Sequence, residues 1–181
     1  MSDQPSRPTP YLDDRLIHLE PWDDGDLSLL AQLNAPEMMA HLGGPESAEQ
    51  LAVRHQRYVV DATSDTDCVF RITVGPDGVP VGMVAFWDRE WRGNAIYEMG
   101  WSVLPEHQGR GIATRAVADA ITIARATARR SAIHAFPAVD NAASNGICRK
   151  LGFVLVEECT FEYPKGHWMR CNDWRLPLLS L

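Results

Sequence analysis

No apolar run in this 181-residue sequence approaches the ~20 residues needed to span a bilayer. The N-terminal "MSDQPSRPTPYLDD" is polar and proline-rich and has no apolar core of the kind a secretion signal carries. Cysteine is scarce. The sequence has four, Cys68, Cys148, Cys159 and Cys171, with no C-x-x-C pair and no metal-like spacing to a histidine. The expectation is reduced thiols in a cytoplasmic chain, with no metal and no membrane partner. Basic blocks are missing too. The net charge is −7 with Lys and Arg dispersed, which argues against nucleic acid as a partner. The same acidity is compatible with a cationic substrate, though it is a weak signal. Neither the G-x-x-x-x-G-K-[ST] of a P-loop nor the G-x-G-x-x-G dinucleotide fingerprint occurs.

What is present suits a single domain over residues 15–181 behind a flexible lead-in at 1–14. Hydrophobic residues make up 45% and charged residues 23%, the balance of an ordinary globular chain with a sizeable core. "RLIHLEPW" reads as a first strand. "DDGDLSLLAQLN", "PEMMAHLGG" and "PESAEQLAVRHQRYVVDAT" read as helical, the middle one as a short turn closed by glycines. "CVFRITV" and "VPVGMVAFW" are β-rich around "GPDG", "DREWRGN" reads as a loop, and "AIYEMGWSVL" reads as the next strand. Three strands in succession predict an antiparallel meander. Ala113, Ala116, Val117, Ala120, Ile121 and Ala124 then recur at helical spacing. "SAIHAFPAV" follows as a strand, so a strand–helix–strand crossover predicts one parallel pair. "NAASNGICRKLGF" reads as a short helix stopped by Gly152, and two strands close the chain around "PKGH".

The most informative stretch is "PEHQGRGIAT", residues 105–114, where the strand becomes the helix. Free N–H groups at a helix N-terminus carry partial positive charge. Glycines let the chain turn tightly and let a phosphate come close to the backbone. Arg110 would add a charge-assisted contact. A pyrophosphate cradle and an ordinary tight turn both fit this stretch taken alone.

"QGRGIA" (Gln108–Ala113) resembles the Q/R-x-x-G-x-G/A motif of the GNAT superfamily of acetyl-CoA-dependent N-acetyltransferases. "NAASNGICRKLGF" is similar to that superfamily's N-x-x-[AS]-x-x-φ-x-x-x-φ-G-F segment, φ being apolar. The "YEMGWSVLPEHQGRGIAT" wording resembles most the branch that contains the ribosomal-protein N-terminal acetyltransferases. The resemblance implies an α/β (α+β) fold with a mixed, mostly antiparallel sheet, helices on both faces, and two strands that splay to admit the cofactor. It implies acetyl-CoA as co-substrate. Main chain near Val103 would pair with the pantetheine arm. Amides from Gln108 through Gly109, Arg110, Gly111 and Ile112 to Ala113 would hold the pyrophosphate. Asn141 and Ser144 match positions near the pantetheine and thioester. A tyrosine often assigned as general acid is replaced here by Cys148.

Acetyl transfer to an amine needs a proton acceptor, because only the free amine attacks, and donors for the developing oxyanion. Glu98 is the candidate base, on the strand leading to the cradle with Gly100 and Ser102 on its face; an ion-paired surface glutamate is the alternative. Ser144 is a candidate donor to the leaving sulfur, and Asn141 to a pantetheine amide; helix capping explains both equally. Trp87, Trp91 and Trp101 are candidates for the acceptor pocket, or else core residues. The acceptor would be an amine-bearing small molecule, a polyamine or a protein N-terminus. A non-catalytic acyl-CoA-binding regulatory module is the alternative function. Pairing of the C-terminal hairpin in a homodimer is open.

Overall fold

In the computed structural model, which describes residues 16–64, 68–163 and 166–178, the regular elements are β1 (Ile17–Pro21), α1 (Leu27–Leu33), α2 (Ala48–Asp61), β2 (Cys68–Val74), β3 (Val79–Trp91), β4 (Asn94–Val103), α3 (Ile112–Thr127), β5 (Ala132–Ala135), α4 (Ala142–Lys150), β6 (Val154–Glu162) and β7 (Trp168–Pro177). The lead-in expected at 1–14 lies outside the described residues. One seven-stranded sheet runs in the order β1-β2-β3-β4-β5-β7-β6. Every pairing is antiparallel except β4 with β5. The mixed, mostly antiparallel sheet is therefore as the family resemblance implies.

Alternation along the strands decides which helix covers which face. Phe86, Tyr97, Met99, Ile133 and Trp174 point to one side and meet Val117, Ala120 and Ile121 of α3 and Cys148 of α4. Met83, Ala85 and Val69 point to the other and meet Leu30 of α1, with Leu51 and Tyr58 of α2. Each such large side chain contributes about 1.5–3 kcal/mol when fully buried. Helix α2 begins at a reciprocal cap. The Ser47 side chain accepts from the Gln50 amide while Gln50 accepts from the Ser47 amide.

Two local readings are corrected. "DREWRGN" is not a loop: β3 continues through Trp91, and the hairpin turns on Arg92 and Gly93 alone, at φ 50° and 76°. Two consecutive positive φ values are what a two-residue hairpin needs. The polar residues there are tied down across the sheet, Asp88 by Arg130 and Arg89 by Glu98. "PEMMAHLGG" forms short turns closed by Gly43 and Gly44 at φ 83° and 93°, as read. The strand expected over 131–139 shrinks to four residues, ending before Pro137, which has no N–H for a ladder.

That shortening opens the sheet. The parallel β4–β5 contact consists of two register pairs, Tyr97 with Ile133 and Glu98 with His134. Beyond Glu98, β4 runs on to Val103 against β3 only. The Leu104 amide donates to Val81 O across β3. By alternation the main-chain groups of Val103 and Trp101 turn the other way, into a gap that β5 does not fill.

Candidate active site

The cradle lies at the mouth of this gap. Gly109 and Gly111 stand at φ 73° and 76°, a region where only glycine is unstrained. Gly111 is the N-cap of the 16-residue α3. The first internal bond at this end is the Arg115 amide to Gly111 O, so the amides of residues 112–114 have no intrahelical acceptor. No acidic side chain stands in the first turn of α3. Nothing lies within 4 Å of where a Gly109 Cβ would be. The Gln108 side chain turns back and donates from Nε2 to Val103 O at 2.8 Å. That bond fixes the loop between the end of β4 and the start of α3. Helix α4 follows the short β5 in the chain as α3 follows β4, Ala135 ending the strand and Ala142 opening the helix.

Glu98 faces α2, with Gly100 and Ser102 on the same side, as strand alternation requires. Its side chain is 21% exposed and lies 2.5 Å from Arg89 Nη1. Burial pushes the carboxyl up from the usual carboxylate value, and the Arg89 charge and hydrogen bond pull against it without reversing the direction. Trp87 is the cross-strand neighbour of Glu98. Its ring stacks on Tyr58 of α2 at 6.1 Å and covers Gly100, where a Cβ would meet it at 3.4 Å. The Trp87 indole N–H is buried and has no acceptor among the described residues.

The three tryptophans do not stay together. Trp87 adjoins Glu98. Trp91 packs against Phe136 and Phe161 in a small cluster under the β6–β7 hairpin. Trp101 is the correction: it pairs with Val84 on the opposite face and packs on the α3 side of the sheet. The grouping of all three in one pocket fails because the β3–β4 register sets Trp101 opposite Val84, while Trp87 and Trp91 lie opposite Glu98 and Asn94 on the other face.

On α4, Asn141 is the N-cap, and its Oδ1 accepts from the Ser144 amide at 3.0 Å. Capping thus uses Oδ1 and leaves the Asn141 amide N–H₂ for another partner. The Ser144 hydroxyl is half-buried one turn on. Cys148 is fully buried in the main core, and burial pushes its thiol up to about 12. Such a thiol stays protonated near neutral pH and is packed away from solvent. Cys148→Ala is therefore expected to fold and to lose less than about tenfold in kcat, below the range of a general acid, with Ser144→Ala losing more. Steady-state rates of the two variants at saturating acetyl-CoA check this. A hundredfold loss for Cys148→Ala at unchanged cofactor affinity would make the thiol an acid.

Several polar residues escape sequence reading. His134, the register partner of Glu98, is buried, and its Nδ1 lies 2.6 Å from Asp173 Oδ1 on β7. Asp173 is 1% exposed and accepts from Trp91 Nε1 at 2.8 Å through its second oxygen. Asn145 is buried on α4 and fully engaged. It donates to Ala138 O and Asn141 O and accepts from Asn172 Nδ2 and Trp174 Nε1. Across the rim, Arg54 of α2 donates to the Tyr163 hydroxyl at 3.1 Å and lies 2.9 Å from Glu46. His41 lies 3.2 Å from Asp140. These contacts join the helical N-terminal third to the loops beside α4 and β6.

Comparison with known proteins fits this layout. A family model described as acetyltransferase (GNAT) domain matches residues 16–154. A search of curated proteins finds no significant match. Among solved structures, the chain is similar to yncA from Salmonella typhimurium, a putative acetyltransferase solved with its cofactor acetyl-CoA, at 22% identity and TM-score 0.70, covering 92% of this chain and 96% of that one. It is similar to ribosomal-protein-S5-alanine acetyltransferase from Vibrio fischeri, at 20% identity and TM-score 0.71, covering 89% and 91%. It is also similar to spermidine N-acetyltransferase from Vibrio cholerae, solved with CoA and spermine, at 18% identity and TM-score 0.72, covering 90% and 95%.

Proposed function

This chain belongs to the GNAT acetyltransferase family, and we propose that it transfers the acetyl group of acetyl-CoA to a primary amine. The observation that carries this reading is the gap where β4 and β5 part, with the glycine cradle at its mouth and Glu98 at its apex. The residues fit the co-substrate. Two glycines at positive φ keep side chains off the backbone amides, which is what close approach of a pyrophosphate requires. Amides from Gln108 to Ala113 would hold it. Main chain of Trp101 and Val103 would pair with the pantetheine arm, and the free amide of Asn141 and the hydroxyl of Ser144 would meet its thioester end. When bound, acetyl-CoA supplies an activated acyl group.

The chain's own part concerns the acceptor. Glu98 takes the proton from the ammonium, directly or through one water. Arg89 holds the carboxylate in place, and the unpartnered Trp87 N–H is a donor left for a polar atom of the acceptor. The charges around Glu98 favour an acceptor with one amine. Arg54, Arg57 and Arg89 stand against Glu46, Asp61 and Glu98 on this side, so the site gathers no excess of negative charge of the kind that would select a polycation. A protein N-terminus or a small monoamine fits better than a polyamine.

The test is an acceptor screen with detection of the released thiol, pairing N-terminal peptides and small monoamines with spermidine. Turnover of peptides or monoamines above spermidine is expected. Preference for spermidine would overturn the acceptor reading, and no thiol release with any amine would overturn the catalytic one.

A further inference from the structure

The acceptor's proton must leave Glu98 for the next turnover to begin, and the neighbouring strand carries a group built to take it. Neighbouring strands lie about 4.8 Å apart, so the side chains of the register partners Glu98 and His134 rise side by side from the sheet on one face. His134 Nδ1 is committed to Asp173 Oδ1 at 2.6 Å. The Trp91 indole fixes the other oxygen of that carboxylate. A carboxylate at this distance takes the Nδ1 proton in its hydrogen bond and leaves the lone pair on Nε2. Asp173 is 1% exposed, and a buried carboxylate held by neutral donors alone is costly.

Resting on the acetyltransferase reading above, we propose that the His134–Asp173 pair is the proton relay on the acceptor side of the gap. The ammonium loses a proton to the Glu98 carboxylate, and its freed lone pair becomes the nucleophile. Glu98 passes the proton to Nε2 of His134, directly or through a water, and returns to the carboxylate that Arg89 holds. The imidazolium formed lies against Asp173 and releases the proton to solvent between turnovers. The charged groups facing this pair are Glu98 on β4, Arg89 on β3, Asp173 and Arg175 on β7, Glu157 on β6, which Arg92 holds, and Arg57 on α2. His134 acts through Glu98, so it is a relay and positioning residue.

Two variants and one spectroscopic measurement test the relay. His134→Gln keeps an N–H donor toward Asp173 but takes up no proton. Asp173→Asn replaces the acceptor at Nδ1 with a group that can donate there, which turns the imidazole to the tautomer lacking the Nε2 lone pair. Each is expected to lower kcat by about a hundredfold, with the acceptor KM little changed and the pH profile of kcat altered in shape. In the parent protein, nitrogen NMR of His134 is expected to show the proton on Nδ1 in the neutral ring, a reading that needs no substrate. Folded variants with parental kcat at every pH would overturn the relay while leaving the acetyltransferase reading intact. A neutral ring protonated at Nε2 would overturn it as well. Failure of the parent to acetylate any amine would remove the reading beneath it, and the relay with it.

Discussion

Gly111→Val is expected to weaken coenzyme A binding by about a hundredfold or more, equivalent to about 2.7 kcal/mol, in a chain that still folds. Two effects act at this position. Gly111 stands at φ 76°, where a β-branched residue is strained. The new side chain also enters the space before the first amides of α3, where a phosphate would lie. The strain alone is measured by a second variant. Gly152, the residue that ends α4, has φ 81° and nothing within 4 Å of its missing Cβ. Gly152→Val carries comparable backbone strain away from the cradle and is expected to lower Tm while leaving coenzyme A affinity near that of the parent. Gly111→Ala should lie between, with the same φ and a smaller group. Calorimetric titration of the three, each checked for folding by circular dichroism, separates the effects. Equal affinities for Gly111→Val and Gly152→Val would remove the cradle from residues 108–113.

The second large effect is at Glu98. Glu98→Gln keeps the shape and a partner for neighbouring groups but accepts no proton, and kcat should fall by roughly 10²–10⁴ with coenzyme A affinity nearly intact. The pH dependence sharpens the prediction. Burial holds the Glu98 carboxyl above the ordinary carboxylate value, and Arg89 opposes that shift. The base is charged above its pKa, so activity should fall on the acid side at a pH above the usual carboxylate range. Removing the opposing charge in Arg89→Met raises the carboxyl further, and the acid limb should move to higher pH. A downward movement, or a Glu98→Gln variant matching the parent at all pH values, would show that the proton leaves by another route.

The parts of this arrangement that were legible in sequence are those that depend on near neighbours. Helix α3 announces itself because its buried positions, Ala116, Val117, Ala120, Ile121 and Ala124, fall on one face at helical spacing. The two positive-φ turns at Gly109 and Gly111 are written in glycine, and the end of α4 is written at Gly152. What depends on distant partners was hidden. Asp173 lies 39 residues from His134, and neither residue is unusual on its own. Arg89 sat in a segment whose polar residues read as a loop, because nothing local tells that Glu98 pairs with Arg89, Arg130 with Asp88, and Asp173 with the Trp91 indole. Trp101 read as a pocket candidate along with Trp87 and Trp91, because the sequence does not tell the hairpin register that sends Trp101 to the opposite face. Cys148 shows the reverse: a family position with an expected role is occupied by a side chain whose burial in the core gives it a packing role.

The seam between β4 and β5 also bears on how the molecule holds together. β1 to β4 pair in sequence order, and β5, β6 and β7 pair among themselves within a short span of chain. Each group can zip from nearby segments, at little loop-closure cost. Among the described residues the sheet joins them through two residue pairs, so the backbone ladder is thinnest at that line, and the shared core under α3 and α4 holds the two groups together. Any molecule that spans the gap adds contacts to both groups at once. Its binding free energy then adds to the resistance of the whole fold to unfolding, growing with ligand concentration by mass action.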